Sequence, residues 1–223
     1  MAWGRLNLTD IDTALAELGA APRELIDADN TDEPFVADAV RRLSEGYHYI
    51  DSLLADQIEI FRYGQTGHIL EINHRVLCGT TPERRVQYAD HIAESERWFY
   101  DRPGAGIGAV FSWLQRHRTQ PTLAIAAGIF VQVVSHPQLF IEGNARSATL
   151  LASYVLARGG LPPLVLTPAT LPDYRNLTDR CLAIDRSGLT GSFAVSVVTN
   201  RVAAFLESAT DRRFLLAEEA PVR

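Results

Sequence analysis

The feature that most constrains this chain is the run Thr122 to Val134, Thr-Leu-Ala-Ile-Ala-Ala-Gly-Ile-Phe-Val-Gln-Val-Val. It is apolar on nearly every side. Pro121 stands in its first turn, where a missing N–H costs nothing. A helix without a polar face must be surrounded by other elements, so this segment reads as the central rod of a bundle. At 13 residues it is too short to cross a bilayer. The opening Met-Ala-Trp-Gly-Arg-Leu-Asn-Leu lacks the basic-then-apolar order of a secretory leader, so a cytoplasmic location is expected.

The remaining periodicity is mostly helical. Val36, Val40, Leu43, Tyr47, Ile50, Leu54, Ile58 and Phe61 recur from Phe35 onward at three- and four-residue steps, a stripe that Tyr63-Gly64-Gln65-Thr66-Gly67 interrupts. Further helices are expected over 68–77, 107–115, 144–158, 171–184 and 193–206. Gly79 and Gly159-Gly160 serve as stop signals. Arg85-Val86-Gln87-Tyr88 and Arg97-Trp98-Phe99-Tyr100 are short, aromatic and β-branched, and suggest a hairpin. The predicted class is all-α with one small β element. Residues 1–34 read as an N-terminal extension packing on a domain spanning 35–223, with a solvated surface suggested by their acidic content.

Composition narrows the function. Apolar residues make up 47% of the 223 and charged residues 22%, enough to build a core without staples. The net charge of −6 and the lack of any long basic run disfavour a nonspecific nucleic-acid role. Cys78 and Cys181 are compatible with two buried thiols or one long-range disulfide. His68, His74, His91 and His117 are scattered, with no metal-ligand spacing, and Gly104-Ala105-Gly106-Ile107-Gly108 reads as a turn.

The chemistry concentrates in Ser135-His136-Pro137-Gln138-Leu139-Phe140-Ile141-Glu142-Gly143-Asn144-Ala145-Arg146. A His follows one buried helix, and Glu-Gly-Asn-Ala-Arg opens the next. The first amides of a helix have no internal partners and lie at the positive end of its dipole. Small Gly143 and Ala145 let that backbone approach an anion, which makes a phosphate cradle. Arg146 can add a bidentate grip on phosphate oxygens. Glu142 suits an anion site only with a cation between, and Mg²⁺ binds one carboxylate together with substrate phosphates. His136 supplies a base usable near neutral pH. The plain alternative is a loop and helix N-terminus, with Asn144 as a cap, Arg146 solvated and His136 as a helix C-cap.

These residues resemble the Fic family signature, His-x-Phe-x-(Asp/Glu)-Gly-Asn-Gly-Arg-x-x-Arg. Phe140, Glu142, Gly143, Asn144 and Arg146 match in type and spacing, and the likeness extends more loosely over 68–206. Residues 69–79 look like the family helix before its β-hairpin flap, and 88–100 fall where the flap is expected, with Trp98 and Tyr100 either in it or capping the core. There are three departures. Two extra residues separate His136 from Phe140, Ala145 replaces a glycine, and Thr149 stands where the last arginine is expected.

The resemblance implies an enzyme that transfers AMP from ATP to a Ser, Thr or Tyr hydroxyl of a target protein. His136 would act as base, Glu142 as Mg²⁺ ligand, and Gly143, Asn144, Ala145 and Arg146 as phosphate-binding residues. Transfer of phosphate or phosphocholine, which the loss of that arginine favours, removal of AMP, and an inactive nucleotide- or partner-binding module are the alternatives. The family's inhibitory Ser/Thr-x-x-x-Glu-(Gly/Asn) motif is met only partly, by Glu45-Gly46 with Arg41 in the first position and by Thr13 and Glu17 with Leu18 following. Both glutamates read as ordinary helix-surface carboxylates.

Overall fold

The structure is a computed structural model that describes residues 3–21, 33–188 and 191–216. Among them are ten helices and one 3₁₀ turn, and no strand. In chain order the helices are α1 (Leu8–Gly19), α2 (Glu33–Ala55), α3 (Gly67–Cys78), α4 (Pro82–Gln87), α5 (Ala89–Tyr100), α6 (Gly106–His117), α7 (Thr122–Val134), α8 (Asn144–Arg158), α9 (Leu171–Leu182) and α10 (Gly191–Ala209). No described helix is long and apolar enough to cross a membrane.

The apolar rod is α7, and every residue from Ala126 to Val134 is buried. It packs chiefly on α8, which is buried from Ser147 to Ala157, and then on α10. Close approach of α6 to the rod depends on Gly128, where a Cβ would meet the Trp113 ring at 1.9 Å. On the other side α2 lies against α1, α3 and α8. Segment 3–21 joins the same core: Ile11 and Leu15 are buried, the Gly4 amide donates to Ala157 O at 2.9 Å, and Leu6 bridges Leu215. The expected boundary near residue 34 falls beside 22–32, outside the described residues. So do the side chains of Phe35 and Val36.

Two expectations are corrected. The hairpin over 85–100 is instead the two helices α4 and α5. Pro82 starts α4 behind Thr81, and α5 turns Ser95 and Phe99 inward one helical turn apart. Its aromatic residues mimicked a strand, yet Phe99 is there to stack on Phe140, 5.7 Å between ring centroids. The stripe ending at Phe61 also outlasts its helix. α2 stops at Ala55, and Gln57 adopts a left-handed φ of 53°. Ile60 still reaches the core from the turn that follows, and Ile58 O accepts from the Tyr154 hydroxyl at 2.6 Å. Apolar spacing reports burial, which a packed loop satisfies as well as a helix does. Both cysteines are buried free thiols, so the disulfide alternative falls away.

Candidate active site

The segment between α7 and α8 is a loop pinned at both ends. At its start, Ser135 leaves the helix in extended backbone, and the next residue is clamped: the His136 amide donates to Ile184 O at 2.9 Å, and the Arg186 amide donates to His136 O at 2.8 Å. His136 therefore lies beyond the helix end, exposed, alongside 184–186, and is not a helix cap. The His136–Pro137 peptide is cis. In mid-loop, Phe140 is fully buried and Asn144 binds its backbone in both directions, accepting from Phe140 N–H and donating to Phe140 O, each at 2.9 Å.

At the far end Gly143 takes a φ of 74° immediately before α8. Here the left-handed backbone requires glycine, and a Cβ would press on Asn73, Val76 and Leu77 at 3.2–3.3 Å. The Ser147 amide is the first to find a helix-type partner, Gly143 O. Among the described residues, the amides of Ile141 to Arg146 donate to none, and no acidic residue occupies the first turn. Six consecutive donors without protein acceptors thus lie at and just before the positive end of a 15-residue helix, where an anion cradle is expected over 143–146.

The charged residues beside the cradle behave differently from one another. Arg146 is not solvated. It donates to Val76 O at 3.1 Å, and its pKa is lowered by burial, with Arg42 adding to the effect. Tyr174 and Glu142 only partly offset this, so the cradle sits beside an under-compensated cation. Glu142 is exposed at the rim, its carboxylate free of hydrogen bonds and ion pairs to other described residues. Thr149 is fully buried, bonded to Ala145 O at 3.1 Å and to the Tyr174 hydroxyl at 3.0 Å. That position of α8 faces the core and adds no cation to the one Arg146 supplies.

Two clefts meet at this loop. One, of about 370 Å³, holds Glu142 to Arg146 with Thr178 on the facing α9. The other, of about 1000 Å³, holds His136 with Trp98, Arg102 and Asp185. Gln138, Ile141 and Leu182 line both. The cradle residues are thus brought together, while His136 stands across a shared wall in the neighbouring cleft. Trp98 Nε1 and Arg102 Nη1 both donate to Gln138 O at 3.4 Å, which ties the end of α5 to that wall.

Asn73 escaped the sequence reading. Fully buried on α3, it donates from Nδ2 to Glu142 O at 2.9 Å and lies 3.0 Å from Ser147 Oγ. A lone amide inside the stripe Ile69, Ile72 and Val76 was the available signal. Glu45 is also no plain surface carboxylate. It pairs with Arg41 through Oε1, while Oε2 is buried without a partner among the described residues.

No protein-family model matches the sequence, and no curated protein does. Comparison with solved structures finds a Fic domain containing signaling protein from Bacteroides thetaiotaomicron, aligned over 91% of this chain and 86% of that one, with a TM-score of 0.53 and 15% identity. The fold is that of a Fic domain. At this identity the likeness is one of architecture, extending over nearly the whole chain. A Fic-type fold with helices in the 82–100 region differs from the expectation of a hairpin there.

Proposed function

We propose that this protein transfers AMP from ATP to a hydroxyl side chain of another protein. The observation that carries the reading is the open row of amides at Ile141 to Arg146 beside the under-compensated Arg146, next to a cleft that holds His136. Such a row binds phosphate oxygens through charge-assisted hydrogen bonds and stabilises charge that develops on them during transfer. The Fic-type fold supports the same reading.

The residues fit a divalent cation held largely by the substrate. Glu142 is an exposed carboxylate at the cradle rim, and no group of three or more His, Cys, Asp or Glu gathers among the described residues. Mg²⁺ commonly takes one protein carboxylate and completes its shell with phosphate oxygens and water. Bound there, it would neutralise charge on the phosphates.

In this scheme the phosphates occupy the smaller cleft and the acceptor hydroxyl enters the larger one. The reacting phosphorus then lies at the wall of Gln138, Ile141 and Leu182. His136 accepts the hydroxyl proton as the oxygen attacks the α-phosphorus. The bond to the β-phosphate oxygen breaks, and pyrophosphate leaves. A second reading, transfer of another phosphate-containing group, is favoured by one observation: position 149 is a buried threonine and offers no arginine to a terminal phosphate.

The test uses purified protein, Mg²⁺, cell extract and ATP labelled at the α- or the γ-phosphate. Protein labelled from the α-phosphate, and lost in His136→Ala, is the expected result. Label from the γ-phosphate alone favours the second reading, and label from neither rejects transfer from ATP.

A further inference from the structure

A further large cavity lies outside the loop. It is a cleft of about 1010 Å³ between α6, α7 and α10, closed at one end by residues 102–105, which also wall the His136 cleft. In a chain of net charge −6 its lining is cationic: Arg102, Arg116 and Arg186 contribute, and no described Asp or Glu does. Field lines from like charges in a low-dielectric cleft concentrate there and draw in anions.

The lining is electrostatically unfinished. Arg186 bonds only neutral oxygens, Gln132 Oε1 and Pro137 O, and its Nε is buried with no acceptor. Burial, with Arg102 adding to it, pushes its pKa down to about 10, and Asp185 only partly opposes this. The Thr199 hydroxyl, lining the same cleft from α10, is likewise buried without a partner. A partly buried guanidinium without a counter-charge and an unpaired hydroxyl lining the same cleft are both costly in an empty protein. An oxyanion contacting both would satisfy them together.

We propose that the α6–α7–α10 cleft is a binding site for a small polyanion, an organic phosphate or a polycarboxylate, held by Arg186 and Thr199 with Arg102 and Arg116 as supporting cations. The site is separate from the cradle at 141–146 and does not depend on the transfer reaction. Arg186 also carries the backbone that clamps His136, through its amide to His136 O and its side chain to Pro137 O, so a bound ligand touches the support of the His136 loop.

The experiment titrates inorganic pyrophosphate, and separately citrate, into the full chain by calorimetry. Ala145→Asp is included to block the cradle with a like charge. Saturable binding of at least one probe that survives in Ala145→Asp is expected. It should weaken at least about tenfold in Arg186→Gln, the loss of one charge-assisted contact. Because Arg186→Gln also removes bonds to Gln132 and Pro137, Thr199→Val and the exposed Arg116→Gln provide independent tests, each expected to weaken binding several-fold with an unchanged melting temperature. Pyrophosphate binding without citrate identifies phosphate as the preferred group, and the reverse identifies carboxylate. Binding abolished by Ala145→Asp, binding unaffected by Thr199→Val and Arg116→Gln, or no binding of either probe overturns the proposal. None of these results depends on whether label is transferred from ATP.

Discussion

Asn144 and Phe140 are joined by a reciprocal pair of hydrogen bonds, carboxamide oxygen to Phe140 N–H and carboxamide nitrogen to Phe140 O, both at 2.9 Å. The second residue of the expected phosphate-binding set therefore works inward as well. It closes residues 140–144 into a five-residue ring, and the amides of 141–146 are left without protein acceptors.

Replacing Asn144 with alanine leaves a buried N–H and a buried C=O of Phe140 without partners. The expected cost is about 2–4 kcal/mol of unfolding free energy, from two buried bonds at roughly 1–2 kcal/mol each. Urea denaturation measures it. Nucleotide affinity falls in the same variant, because the loop no longer holds the cradle open. Unchanged stability would show that the ring is not formed.

Gly143→Ala meets a different obstacle. Its φ of 74° costs an L-residue about 1–2 kcal/mol, and the new methyl crowds Asn73 Nδ2 at 3.2 Å. Since Asn73 holds Glu142 O, the loss should appear both as a lower melting temperature and as weaker nucleotide binding. Asn73→Ala should reproduce the binding defect.

His136 is exposed, and its side chain has no hydrogen-bond partner among the described residues, so His136→Ala should fold like the parent. If His136 is the base, transfer falls about 100-fold or more while nucleotide affinity is kept. Glu142→Gln separates the roles: its defect should deepen as Mg²⁺ is lowered and ease as Mg²⁺ is raised. Parallel transfer assays and equilibrium binding distinguish the two.

Alkaline pH should weaken the fold through Cys181. Burial raises the thiol from its ordinary 9.0 to about 12. The folded state keeps a proton that the unfolded chain loses, so the contribution is complete below pH 9 and disappears as pH rises towards 12. The slope is about 1.4 kcal/mol per pH unit across that window. Tyr47 and Tyr174, also raised by burial, act in the same direction at higher pH. Arg186, lowered to about 10, opposes them only above that pH. Urea midpoints at pH 8 and pH 10 should differ in the parent and differ less in Cys181→Ala.

Much of this protein was legible in its sequence because burial leaves a periodic trace. The all-round apolar run 122–134 demanded a surrounded helix, and it lies at the centre of the bundle. Small Gly143 and Ala145 at the start of α8 announced an open helix end, because only local backbone geometry was needed to predict it. Tertiary structure decided whatever depended on partners distant in sequence. The aromatic residues of 85–100 became helices because Phe99 found Phe140 and Arg85 found Glu71. Arg146, which the sequence reading assigned to phosphate, is held by Val76 O on a different helix. His136 and Gly143, only seven residues apart in the chain, fall in adjoining clefts because the segment 184–186 captures the His136 backbone. The sequence by itself determined which residues could bury or carry charge; packing between remote segments determined which of them face one another, since side-chain desolvation and pairing exist only once those segments meet.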